Sequence, residues 1–137
     1  MIWEYEGVSY DDTPENYQGF VYIITELSTG KMYIGKKFFW KPKTLPKNSK
    51  RKRKIKTRVE SDWRDYYGSS KEVKLLVEQN GKDNYKREIL KLCERKGDCS
   101  YWELYYQMVN HVLLKDEYYN EFVGAKIHSA HLKNTDE

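Results

Sequence analysis

The chain has 137 residues, the size of one domain, and with 39% hydrophobic and 15% aromatic residues it can bury a core, which argues against a disordered tail protein. No apolar run approaches the roughly 20 residues of a membrane span. Met1 to Glu6 lacks the basic and apolar stretches of a signal peptide, so a cytoplasmic protein without membrane partners is expected. The formal net charge of +4 conceals a strong asymmetry: 12 of the 25 Lys and Arg residues lie between Lys36 and Arg58, where there is no Asp or Glu.

In chain order, the weak alternation of Trp3 and Tyr5 predicts an edge strand within residues 1–10, and Asp12-Thr13-Pro14 predicts a helix start. Gly19 to Thr25, rich in β-branched and aromatic residues, reads as a buried strand. Leu27 to Gly30 is a turn, and Lys31 to Gly35 a second strand, so the two form a hairpin. A long basic loop follows over 36–58, in which Pro42 and Pro46 bar a helix. Ser69 and Glu72 have capping-box spacing, Val73, Leu76 and Val77 share a helical face, and Gly81 ends that helix. Tyr85 to Cys93 is a third strand. Ser100 and Glu103 repeat the capping-box pattern and open a helix to about Leu114. The expected fold is α+β: a small three-stranded, largely antiparallel sheet flanked by helices, with the basic loop inserted after the first hairpin. One domain over 1–137, with its core at about 19–122, is expected.

Cys93 and Cys99 read as free thiols, since a zinc site wants four ligands and no second Cys pair exists. His111, His128 and His131 read as surface or helix-end residues. The basic segment is different. Its dense like charges repel one another, so order requires an anionic partner. It follows Phe38, Phe39 and Trp40, and aromatics beside cations suit bases and phosphates better than a lipid surface. Lys37, Lys50, Arg51, Lys52, Arg53, Lys54 and Lys56 are the candidate nucleic-acid contacts. The plain alternative is a solvated loop or a localisation signal.

Side chains alternate along a strand, so Phe20, Tyr22 and Ile24 share one face, as do Tyr33 and Gly35. Two phenols can then meet across the hairpin where glycine leaves room, although strand tyrosines are common. Phe20-Val21-Tyr22, ten residues, then Tyr33-Ile34-Gly35 resembles the GIY-YIG nucleases. Gly68-Ser69-Ser70, the helix behind it, Asn80-Gly81, the 85–92 strand, Glu103 in the next helix and Tyr119-Asn120 follow in the family's order. The first motif departs from the pattern, with Gly19 one position early.

The resemblance implies a metal-dependent endonuclease that hydrolyses DNA phosphodiester bonds with Mg²⁺ or Mn²⁺. Glu103 is the implied metal ligand, although a carboxylate engaged in capping is not free to ligate. Tyr22 or Tyr33 would orient or deprotonate the water, and a base role needs nearby positive charge to lower a phenol pKa. Lys36 matches a Lys that some relatives carry after the second motif, and Asn120 would position a phosphate or a side chain. The family's essential arginine is displaced by the insertion. Arg53, Arg58 and Arg64 are candidates, and Arg58, at the end of the basic run, is taken. A short free-standing form suits a phage or mobile-element enzyme of homing or restriction type, working in the host cytoplasm. Recognition would come from the insertion or from a homo-oligomer, which would also serve double-strand cleavage. The alternative is a catalytically inactive nucleic-acid-binding protein on the same fold.

Overall fold

Residues 2–45, 47 and 55–124 are described by the structure, a computed structural model. Its strands are β1 (Glu4–Tyr5), β2 (Val8–Ser9), β3 (Gly19–Glu26), β4 (Met32–Phe38), β5 (Trp40–Leu45), β6 (Ile55–Glu60) and β7 (Tyr85–Cys93). Its helices are α1 (Lys71–Asn80) and α2 (Lys96–Val109). The apolar run at 19–25 becomes the central strand β3, paired antiparallel with β4 on one side and β7 on the other. Because both faces of β3 are covered, the run lacks the polar alternation of a half-exposed strand.

The α+β class is observed, but the sheet has five strands in the order β2-β1-β7-β3-β4, not three. It is mixed, because β1 runs parallel to β7, with Tyr5 opposite Ile89. The two extra strands are two residues each and close through Glu6-Gly7, both at positive φ (52° and 80°), the signature of a tight two-residue hairpin turn.

Each sheet face carries its own core. Phe20, Tyr22 and Ile24 pack with Trp3, Phe39, Trp63 and the α1 residues Val73 and Val77. On the opposite face Val21, Ile34 and Cys93 pack with Cys99 of α2 and with Val112. Both cysteines are free and buried. Aromatic rings dominate the first core, in which Phe39 lies 4.9 Å from Trp63 and 4.7 Å from Phe20. The Trp63 carbonyl accepts the Trp3 indole N–H (2.7 Å), and the Trp63 indole donates to Thr13 Oγ1 (2.9 Å). Thr13 therefore anchors a non-helical segment, and the helix expected at Asp12-Thr13-Pro14 does not form.

The expected long basic loop is instead largely β structure. β5 and β6 form an antiparallel ribbon, from Trp40 opposite Glu60 to Leu45 opposite Ile55. Pro42 excludes a helix but is compatible with a strand, since both strands of a ribbon are edges. Lys50, Arg51, Lys52, Arg53 and Lys54 lie outside the described residues, as do His128 and His131.

Two helix boundaries move. Ser70, not Ser69, caps α1 by accepting from the Val73 N–H (3.3 Å). Helix α2 starts at Lys96, four residues before Ser100, behind the N-cap Arg95, whose guanidinium pairs with Asp98 in the first turn (3.3 Å). Its end comes at Val109, ahead of His111, whose φ of 53° is incompatible with a continuing helix. Among the described residues no helix is long and apolar enough to cross a membrane.

Trp63 fills the centre of the larger core with no exposed surface. Trp63→Ala is expected to cost about 3–5 kcal/mol, read as a lowered urea midpoint at unchanged slope.

Candidate active site

The candidate site lies at the free edge of β4. Tyr22 stands opposite Gly35 in the β3–β4 register, and its ring occupies the space over that glycine. A Cβ at residue 35 would sit 2.5 Å from the Tyr22 hydroxyl and 3.0 Å from Tyr33 Cε1, so only glycine fits. The Tyr33 ring packs beside Tyr22 at 6.3 Å, and Tyr66 meets Tyr22 edge-on at 5.9 Å. Tyr66, from the segment after the ribbon, is a third phenol that the strand pattern did not reveal.

The Tyr22 hydroxyl is fully buried and has no hydrogen-bond partner among the described residues, although Tyr66 is its neighbour. Tyr33 reaches the surface and shares a hydrogen bond with Ser69 Oγ (2.9 Å). Burial raises the pKa of all three phenols, most strongly for Tyr22, so all are neutral at physiological pH.

Ile34, between the second tyrosine and its glycine, is held by both backbone groups. Its N–H donates to Asn120 Oδ1 (3.0 Å), and its carbonyl accepts from Asn120 Nδ2 (2.8 Å) and from Gln107 Nε2 (3.1 Å). One turn of backbone pairing reinforces this. The Met32 N–H donates to the Glu117 carbonyl, and the Tyr119 N–H donates to the Met32 carbonyl, each at 2.7 Å. Asn120 thus acts on the backbone of the tyrosine motif, with its amide oxygen and its amide nitrogen both engaged there.

Ser100, Glu103 and Gln107 recur at the i, i+3, i+7 spacing of one helical face, and that face of α2 addresses β4. Lys36 Nζ donates to Ser100 Oγ (3.0 Å) and lies 3.7 Å from Glu103 Oε1. Since α2 begins at Lys96, Glu103 caps nothing and its carboxylate is free for other work. Burial raises the Glu103 pKa, and Lys36 opposes that shift only in part. Glu103 and Tyr33 line a common cavity of about 420 Å³ with Ser69, Glu72, Gln107 and Tyr119. Lys36 and Lys37 leave β4 on opposite faces. Lys37 pairs with Asp62 (2.6 Å) and sits 4.2 Å over the Tyr66 ring.

The edge of β4 therefore gathers Tyr22, Tyr33, Lys36 and Glu103, with Asn120 acting through Ile34. Arg58 is elsewhere: its guanidinium stacks 4.0 Å from the Trp40 ring and donates to the Glu15 carbonyl. Arg64 pairs with Asp11 and Glu60. Lys56 is exposed on β6, and Arg53 lies outside the described residues. Among the described residues no three His, Cys, Asp or Glu side chains gather as a metal cage. Glu103, in a roomy cavity whose lining also includes Glu72 and Glu121, nevertheless fits a hard divalent cation that takes oxygen ligands and keeps most of its waters, such as Mg²⁺ or Mn²⁺.

Glu103 also yields a test in stability. Its pKa is raised on folding, so the folded state loses stability as pH rises through that pKa and keeps it below the unfolded value. Glu103→Gln removes that penalty. The variant is expected to melt above the wild type at neutral pH, and the gap is expected to close below the ordinary carboxylate range. A pH series of thermal melts measures this.

A family model described as "Putative endonuclease segE, GIY-YIG domain" matches residues 3–123. No curated protein matches the chain, and no solved structure does. The family match spans the hairpin, the ribbon, both helices and the Asn120 clasp, and this chain belongs to the GIY-YIG nuclease family.

Proposed function

We propose that the chain is a metal-dependent endonuclease that hydrolyses phosphodiester bonds of DNA at the edge of β4. Membership of the family indicates a nuclease. The observation that carries the finer reading is the meeting of Glu103, Lys36 and Tyr33 at one lip, beside a cavity open to a phosphate. Glu103 would hold Mg²⁺ or Mn²⁺. When bound, that ion supplies Lewis-acid charge to the phosphoryl oxygens and lowers the pKa of a coordinated water.

The chain's own groups do the rest. Lys36 offsets charge that grows on the phosphoryl oxygens. It also opposes, in part, the pull of burial on the Glu103 carboxyl. Tyr33 acts as a neutral phenol: its hydroxyl orients a water or a phosphoryl oxygen, since burial disfavours the phenolate a base would need. Tyr22 packs beside Tyr33 and sets its ring position. Gln107 and Asn120 hold the intervening backbone. One such site cuts one strand per event, so a double-strand break needs a homo-oligomer or two successive cuts.

A binding protein without activity on the same fold is the second reading. It is favoured by one observation: neither Arg58 nor Arg64 lines the cavity, so no described arginine from the candidate set faces a phosphate there.

Cleavage of supercoiled plasmid with Mg²⁺ and with EDTA separates the two readings. Glu103→Ala is expected to lower cleavage by about 100-fold or more while DNA affinity stays within a few-fold. Its helix should persist, because alanine suits a helix interior. Tyr33→Phe is expected to lose roughly tenfold in rate, the worth of one hydrogen bond made in the transition state. Tight, salt-sensitive DNA binding without any metal-dependent nicking would favour the second reading.

A further inference from the structure

The ribbon β5–β6 is built for a partner. Lys41, Pro42, Lys43 and Thr44 of β5 and Lys56, Thr57, Arg58 and Glu60 of β6 are all exposed. Most of the ribbon is exposed, with only Val59 and Leu45, among the described residues, as half-buried apolar residues on the face of Lys41 and Lys43, and a lone two-stranded hairpin is marginal in water. Its order comes from the root. The Trp40 indole donates to the Pro14 carbonyl (3.0 Å), the Trp40 carbonyl accepts from Gln18 Nε2 (3.0 Å), and Arg58 clamps Trp40 from across the ribbon.

Register separates the two faces. Residues directly opposite share a face, so Trp40, Pro42, Arg58 and Lys56 lie on one, and Lys41, Lys43, Thr57 and Val59 on the other. The first is tied at its root to residues 14–18. Among the described residues no hydrogen bond ties the second to residues 14–18, and Lys41 at its root lies toward the catalytic edge. Lys41 shares a cleft of about 290 Å³ with Lys36, Lys37, Trp40, Asp62 and Lys96. A track of ammonium groups thus runs from Lys36, beside Glu103, to Lys43 on the second face of the ribbon.

We propose that this ribbon enters the major groove of duplex DNA, with Lys43 and Thr57 on the base edges and Lys41 and Lys96 on the flanking phosphates. The inference rests on the endonuclease reading insofar as that reading makes DNA the substrate. Six residues of strand reach about 20 Å. The major groove, about 12 Å wide, admits a two-stranded ribbon without deformation, whereas the minor groove, about 6 Å wide, takes one only when it is widened or the duplex is bent. Lys and Thr are also residue types that reach guanine acceptors and thymine methyls there. A domain of this size would in this way carry its sequence reader inside the nuclease fold.

The test uses the full chain and a Lys43→Ala/Thr57→Ala double variant, both of whose sites are solvent-exposed. The probes are a mixed-sequence duplex, the same duplex with 7-deazaguanine for guanine, which removes only a major-groove acceptor, and supercoiled plasmid whose cut ends are sequenced. Wild type is expected to bind the modified duplex about threefold or more weakly, and the double variant to bind both duplexes equally. The variant is expected to lose the base preference at its cut ends. Equal binding of both duplexes by wild type, with unchanged cut positions in the variant, would overturn the groove assignment and leave the endonuclease standing. Discrimination that depends on Lys43 and Thr57 without any plasmid cleavage would support the groove assignment and sink the endonuclease. Binding only to RNA would overturn the assignment.

Discussion

Everything at the site depends on how the free edge of β4 is satisfied. An edge strand presents backbone donors and acceptors that water or another chain will otherwise occupy. Here the chain covers that edge itself. The segment 117–119 pairs with Met32, and Asn120 closes both hydrogen bonds of Ile34 as a neighbouring strand would. Gln107 adds a second donor to the same carbonyl, and it stands on the helical face that carries Ser100 and Glu103. One short stretch of backbone thereby fixes the tyrosine that precedes it, the glycine that follows it, and the helix that brings the carboxylate.

The opposite face is set by aromatic packing and by one buried cation. Arg87 is almost fully buried, with its guanidinium 4.6 Å from Trp3 and 4.1 Å from Tyr67. It donates to the carbonyls of Arg64 and Tyr66 (2.9 Å each), and burial lowers its pKa. A buried charge is tolerable only when its hydrogen bonds are made, and here they tie down the segment that carries the third phenol. Positive φ at Gly68 (96°) then turns the chain beneath Ile24 and the Tyr22 hydroxyl. The phenol cluster is therefore held from the strand side and from the loop side at once.

Much of this was legible in the sequence. The hairpin, the third long strand and the Gly81 stop follow from local pattern, and Glu103 and Asn120 are placed by the order of the family's motifs. The failures have particular causes. β1 and β2 are two residues long, too short for any periodicity, and only Glu6-Gly7 hints at their turn. The ribbon hid because both its faces are wet, so Lys41 to Thr44 shows no alternation to read. The Ser100–Glu103 spacing imitates a capping box because i, i+3 neighbours also recur inside a helix, where this pair serves Lys36 instead. Tyr66 and Gln107 act through contacts remote in sequence, which no local pattern encodes.

The Asn120 clasp also bears on when activity can arise. Its partner Ile34 lies 86 residues earlier in the chain. At roughly 5–20 residues per second, a ribosome delivers Asn120 about 4–17 s after Ile34. Closing so long a loop is also entropically slow compared with forming the hairpin. The segments that carry Tyr22, Tyr33, Lys36 and the ribbon are therefore synthesised well before the edge of β4 can be locked. The order of synthesis thus makes assembly of the candidate site a late event, which waits until every strand of the sheet has been delivered.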